Sequence, residues 1–183
     1  MDRPREILAH GPVMLRRWRA ADADVVYRAV TESLDHLRPW MPWAADYDLA
    51  SATGFVRQCE LDWESGAAFN YAIISGDDIA GSCGLMARIG PGGLEIGYWV
   101  HGERTGRGLA TAAAAALTAE AFTLPGIGRV EIVHDAANVA SGRIPRKRSS
   151  RRNARSRGAR AASSPAAAPP SSSAWATRGR GSW

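Results

Sequence analysis

At 183 residues the chain has room for one domain with a sizeable core, and nothing in it approaches the ~20 apolar residues of a membrane span or the apolar stretch of a signal peptide. Cys59 and Cys83 stand apart with no CxxC or Cys/His spacing, which leaves no disulfide framework and no metal to expect in a cytoplasmic protein. The net charge of +5 averages two unlike pieces: residues 1–145 hold all 18 acidic and 13 of the 23 basic residues, net −5, while 146–183 carry +10.

Val13 to Trp18 reads as a first strand. From Ala23 to Leu37, apolar residues at Val25, Val26, Ala29, Val30, Leu34 and Leu37 recur with a helical period, and Asp22 or Asp24 suits its start. Pro39 and Pro42 end that helix in a stiff aromatic loop, Arg38 to Trp43. A second helix is expected from about Ala50 to Glu64, with Phe55, Val56, Cys59 and Trp63 on one face; Trp18 and Trp63 read as core. Ala67 to Ser75 and Ile79 to Arg88 form a hairpin about Gly76-Asp77-Asp78. Another strand, Leu94 to Val100, is followed by a glycine-rich turn, an alanine-rich helix from Gly108 to about Phe122, and a fifth strand, Arg129 to His134. The order is that of an α+β domain, one twisted sheet flanked by helices.

The chemistry concentrates between Gly93 and Thr111. A strand delivers the chain into a turn whose glycines let backbone approach a bulky anion, and the next helix aims its free N–H groups and positive end at it. Arg104 and Arg107 add charge beside it. Gly-Arg-Gly before a helix also occurs in turns that bind nothing.

This stretch resembles the acyl-CoA-binding motif of the GNAT superfamily of N-acetyltransferases, Gln/Arg-x-x-Gly-x-Gly/Ala, on Thr105, Gly108 and Ala110; Thr105 stands where Gln or Arg is usual. Leu37 to Trp43, Leu94 to Val100 and Asp135 to Ser141 resemble, in order, the aromatic loop, fourth strand and Asn-x-x-Ser turn of the RimJ/RimL-like branch, which acetylates protein N-terminal amines. The resemblance covers about residues 12–145. It implies a mostly antiparallel GNAT sheet and acetyl-CoA as co-substrate, held by Arg104, Thr105, Gly106, Arg107, Gly108, Leu109 and Ala110. It further implies direct attack of a neutral amine on the thioester in a ternary complex.

Three things are then needed: a route for the amine's proton, donors for the oxyanion, and a proton for the leaving thiolate. The resemblance assigns the oxyanion donor to a backbone N–H near Trp99 and Val100, the thiolate's proton to Ser141, and the pantetheine arm to Asn138. For the base, strand alternation puts Glu95, Gly97 and Trp99 on one face, opposite Leu94, Ile96, Tyr98 and Val100. Glu95 acting through water and Glu95 merely paired with an arginine are equal readings; Glu131 and His134 are reserves. Trp40 and Trp43 either wall the amine cleft or pack a loop, and Asn138 and Ser141 would also serve a plain turn.

After Pro145 the pattern breaks. Residues 146–183 contain no Val, Ile, Leu, Met, Phe, Tyr, Asp or Glu, and resemble GC-rich coding DNA read out of frame. Such a segment buries too little to offset its ordering entropy, so a disordered tail is expected and a sheet lacking its last two strands. Weakened or absent activity follows. The rival reading is a GNAT remnant whose arginine-rich tail binds nucleic acid non-specifically. The negative body favours a cationic acceptor: a protein N-terminus, or a small amine such as an aminoglycoside or polyamine.

Overall fold

The computed structural model describes residues 2–133 and the backbone of 180–182. Its strands β1 (Ile7–His10), β2 (Val13–Arg17), β3 (Ala68–Ser75), β4 (Asp78–Met86), β5 (Gly93–Val100), β6 (Arg129–Val133) and β7 (Arg180–Ser182) form one sheet in chain order. Neighbours are antiparallel except β5 and β6, which run parallel. A parallel pair cannot be closed by a tight turn, and here helix α4 (Leu109–Ala121) makes the crossover.

β1 has no counterpart in the sequence reading. It is four residues long with only Leu8 buried, so it shows no alternation to recognise; pairing with β2 places it. The helix expected from Ala23 to Leu37 is two, α1 (Ala23–Thr31) and α2 (Leu34–Leu37). The break falls at Glu32–Ser33, where the Ser33 hydroxyl, 1% exposed, accepts the Gly102 N–H at 3.3 Å. A buried serine that serves another backbone is a poor helix residue, and the chain turns there. Helix α3 (Leu49–Ser65) begins on Asp48, whose carboxylate accepts the Ser51 N–H at 2.7 Å.

Two apolar layers cover the sheet. On one face α4, its alanines permitting close approach, packs against Leu15, Phe69, Ile73, Leu94 and Ile96. On the other, α1 and α3 cover Trp18, Ala72 and Trp99. Trp18 and Trp63 are core residues, as expected, at 0% and 1% exposure.

Within the span expected to be unstructured, Arg180–Ser182 lies antiparallel along β6, with Ser182 opposite Glu131. Ladder pairing uses backbone groups and needs no apolar side chain, so composition alone does not forbid it. The rest of the tail, together with His134, Asn138 and Ser141, lies outside the described residues. Among the described residues no helix is long and apolar enough to cross a membrane.

Candidate active site

Among the described residues β5 and β6 pair from Gly93 with Arg129 to Ile96 with Ile132, and β5 runs on to Val100. The His101 N–H donates to the Ala80 carbonyl at 2.8 Å, which fixes the alternation along β5. The amides of Trp99 and Gly97 turn toward β4; that of Val100 turns away from it, toward the β6 side. Of the two residues expected around the oxyanion, Val100 thus has its N–H free of β4, while the Trp99 N–H is directed into the sheet. The Trp99 carbonyl is also why position 81 is glycine: a Cβ there would lie 2.2 Å from Trp99 O.

Glu95 sits on the face of β5 opposite Leu94 and Ile96, is 2% exposed, and pairs with Arg88, whose Nε donates to Oε1 at 2.9 Å and whose Nη2 donates to the same oxygen. The antiparallel register sets Met86 against Glu95, so Arg88, just past the end of β4, is within diagonal reach. Directly across β6 stands Glu131, held by Arg129 Nε at 3.2 Å; Arg129 Nη2 donates in turn to the Ile89 carbonyl at 2.6 Å. Two carboxylates on neighbouring strands would repel. Each here has its own guanidinium: Arg129 two residues along the same strand for Glu131, and Arg88, brought by the β4–β5 register, for Glu95. The sequence reading left Glu95 open between a base acting through water and a solvated acid paired with an arginine; the structure shows the pairing, with Glu95 buried rather than solvated.

Beyond β5 the chain makes a short 3-10 turn, Gly102–Arg104, then Thr105 to Gly108 and α4. Gly106 and Gly108 have φ of 75° and 76°, a region that favours glycine, and a Cβ on either would meet no atom within 4 Å. Gly108 supplies no capping side chain, and the first helical bond runs from Ala112 N–H to Gly108 carbonyl at 3.0 Å. The N–H groups of Leu109, Ala110 and Thr111 consequently point out of the helix end. Backbone donors, a positive helix end and open space fit a pyrophosphate.

The two arginines differ. Arg104 is engaged by Asp78 and donates to the Ser75 carbonyl at 3.4 Å, so its charge is directed to the β3–β4 hairpin. Arg107 is exposed and makes one 3.3 Å bond to the Glu103 carbonyl. The Thr105 hydroxyl is spent on the Gly102 carbonyl at 3.0 Å.

Trp40 and Trp43 are half-buried against the same apolar layer as Trp99, which brings the aromatic loop to the Glu95 face of β5. Trp43 meets Tyr47 edge-on at 5.6 Å, and Tyr47 stacks on Tyr27 at 6.3 Å. Burial, with Asp48 nearby, pushes the Tyr47 phenol well above its ordinary range. Burial likewise pushes the Cys59 and Cys83 thiols up, so neither is a thiolate nucleophile. His101, for which sequence offered no partner, is 6% exposed; its Nδ1 accepts the Glu103 N–H at 3.3 Å and its Nε2 lies 3.2 Å from Glu32 Oε2. Because Nδ1 accepts, Nε2 carries the proton and donates to Glu32.

The family model described as "Acetyltransferase (GNAT) domain" matches residues 13–148. No curated protein matches the chain significantly by sequence. Among solved structures, the microcin C7 self-immunity acetyltransferase MccE, in complex with acetyl-CoA and AMP, has a TM-score of 0.76 at 17% identity, covering 93% of this chain and 89% of its own. The ribosomal L7/L12 alpha-N-protein acetyltransferase RimL, in complex with coenzyme A, gives 0.72 at 23% identity over 78% and 82%. RimJ of Mycobacterium smegmatis, with CoA-disulfide, gives 0.70 at 25% identity over 83% and 75%. The domain match spans β5, the turn, α4 and β6, and the chain belongs to the GNAT family of acetyl-CoA-dependent N-acetyltransferases.

Proposed function

We propose that the protein transfers the acetyl group of acetyl-CoA to a protein N-terminal amine. The observation that carries this is the Val100 N–H, which turns away from β4 toward the β6 side of β5, while the outward N–H groups of α4 lie at the end of the following turn. The bound thioester supplies an activated acetyl carbon. Leu109, Ala110 and Thr111 offer N–H groups to the pyrophosphate, with Arg107 adding charge at the rim. Val100 N–H is oriented before charge develops on the carbonyl oxygen, which is why a backbone donor is effective there. Glu95 takes the amine's proton through water, steadied by Arg88 and flanked by Glu131. Asn138 and Ser141 are proposed for the pantetheine arm and the leaving thiolate.

For the acceptor, the aromatic loop on the Trp99 face of the sheet, the net negative body and the fold shared with RimL and RimJ support a protein amine over a small one. Radiolabelled acetyl transfer is the test. The 183-residue protein is incubated with acetyl-CoA and either peptides bearing free N-termini or aminoglycosides and polyamines. Peptide labelling that is abolished by prior N-terminal blocking is the expected result, at a low rate if the tail stands where the last strands belong. Labelling of the small amines alone would move the acceptor to that class.

A further inference from the structure

His101, Glu32 and Ser33 have no part in the chemistry above, yet they join its two halves. The His101 ring, almost wholly buried at the start of the turn, donates from Nε2 to Glu32 at the end of α1. One residue on, the Gly102 N–H donates to the buried Ser33 hydroxyl at 3.3 Å, and a Cβ on Gly102 would come within 3.2 Å of the His36 Cβ. The corner between α1 and α2 is therefore seated on the turn that leads to α4. From that corner the backbone continues without slack: Leu37 N–H bonds the Ser33 carbonyl at 2.9 Å, Arg38 N–H the Leu34 carbonyl at 2.8 Å, and the Trp40 and Met41 N–H groups the Leu37 carbonyl at 2.9 and 2.8 Å.

We propose that His101 is a positioning residue that locks the α1–α2 corner to the turn before α4, so that a CoA pyrophosphate on the turn sets the position of the Arg38–Trp43 loop for the amine. This rests on the acetyltransferase reading of the site. A ligand that holds the turn holds Gly102, and through it the corner, α2 and both loop tryptophans. Electrostatics favours the same direction, because Glu32 orients the ring whose Nδ1 holds the Glu103 N–H in the turn.

Hydrogen exchange on the full chain, with and without CoA, tests this. In the parent protein CoA slows exchange in residues 33–44 as well as in 102–112. In His101→Phe, which keeps the bulk and loses the bonds, CoA still protects 102–112 but not 33–44, and the acceptor KM rises about fivefold, the equivalent of one ordinary hydrogen bond, with kcat little changed. His101→Gln, which retains a donor near the Nε2 position, restores protection and the parental KM. Should His101→Phe fail to fold, Glu32→Ala removes the acceptor of the same bond and Ser33→Ala the neighbouring one from Gly102, and both give the same loss of loop protection. CoA binding to the parent with no protection of 33–44 overturns the proposal and leaves the acetyltransferase reading intact. Identical behaviour of the Phe and Gln variants also overturns it. Absence of CoA binding to the parent overturns both.

Discussion

Glu95 and Glu131 stand opposite each other on parallel β5 and β6, one position before the last described pair, and each is held by a separate arginine. The arrangement makes the two carboxylates structurally similar and chemically unequal. Glu95 is 2% exposed and its neighbour along the same face is Gly97, just past the last described pair of β5 with β6. Glu131 points from a strand with a neighbour on both sides.

The two are separable by substitution. Glu95→Gln is expected to lower kcat/KM about a hundredfold, the range of general-base catalysis, and Glu131→Gln less than tenfold. Steady-state rates with a peptide acceptor decide it. Equal large losses would place both carboxylates in the chemistry, and equal small losses would remove both from it.

The strand order and the anion turn were legible in sequence because alternation, a helical period and punctuation by Gly and Pro are local signals. Leu94 to Val100 announced its two faces by alternation, and β5 keeps them. Pairings between distant segments were not legible. Arg88 with Glu95 is a matter of strand register and His101 with Glu32 of tertiary packing, neither of which the residues of one segment contain. Arg104 shows the converse: next to the glycine turn in sequence it reads as a phosphate ligand, yet the nearby hairpin supplies Asp78 and holds the guanidinium there. The α1–α2 break was hidden for the same reason, since the Ser33 hydroxyl serves a strand end 69 residues away.

That contrast between the arginines predicts unequal roles in CoA binding. Arg107→Ala should raise the acetyl-CoA KM several-fold, more at low salt than at high, because an exposed guanidinium acts through screened attraction. Arg104→Ala should change KM little and instead lower thermal stability by loosening the β3–β4 hairpin. Initial rates at two ionic strengths, with melting curves, measure both; a larger KM effect at Arg104 would show that it leaves Asp78 when CoA binds.

A second charge pair gives a pH dependence. Glu120 on α4 is 3% exposed; burial opposes its ionisation, but the Arg5 side chain at 2.6 and 3.0 Å and the Arg5 N–H at 2.7 Å outweigh it and hold the carboxyl below its ordinary range. A carboxylate with a depressed folded pKa contributes stability that is full above its unfolded value, roughly 4.3, and is lost as pH falls through the folded one. Glu120→Gln should therefore be less stable than the parent at neutral pH, with the gap closing in acid. Urea midpoints from neutral pH down through the carboxylate range test the sign: a gap that does not close in acid would mean the pair adds no pH-linked stability.

Trp18 and Trp99 offer a last comparison, since they lie on adjoining parts of one apolar layer at 0% and 2% exposure yet differ in one bond. The Trp18 indole N–H donates to the Ser82 hydroxyl at 2.8 Å, and that hydroxyl donates to the Tyr71 carbonyl at 2.9 Å. The Trp99 N–H is buried without an acceptor among the described residues. Replacing either by Phe removes a similar apolar area, but Trp18→Phe also breaks the relay to β3 while Trp99→Phe removes a donor that was already unpaid. Trp18→Phe should thus cost about 1 kcal/mol more than Trp99→Phe in denaturant unfolding, the net worth of one buried hydrogen bond. An unmatched donor persists in a core only where packing fixes the ring, and Trp99 is fixed by β4 beneath and the helices above. A cost at Trp99 as large as at Trp18 would reveal that its N–H is satisfied in solution.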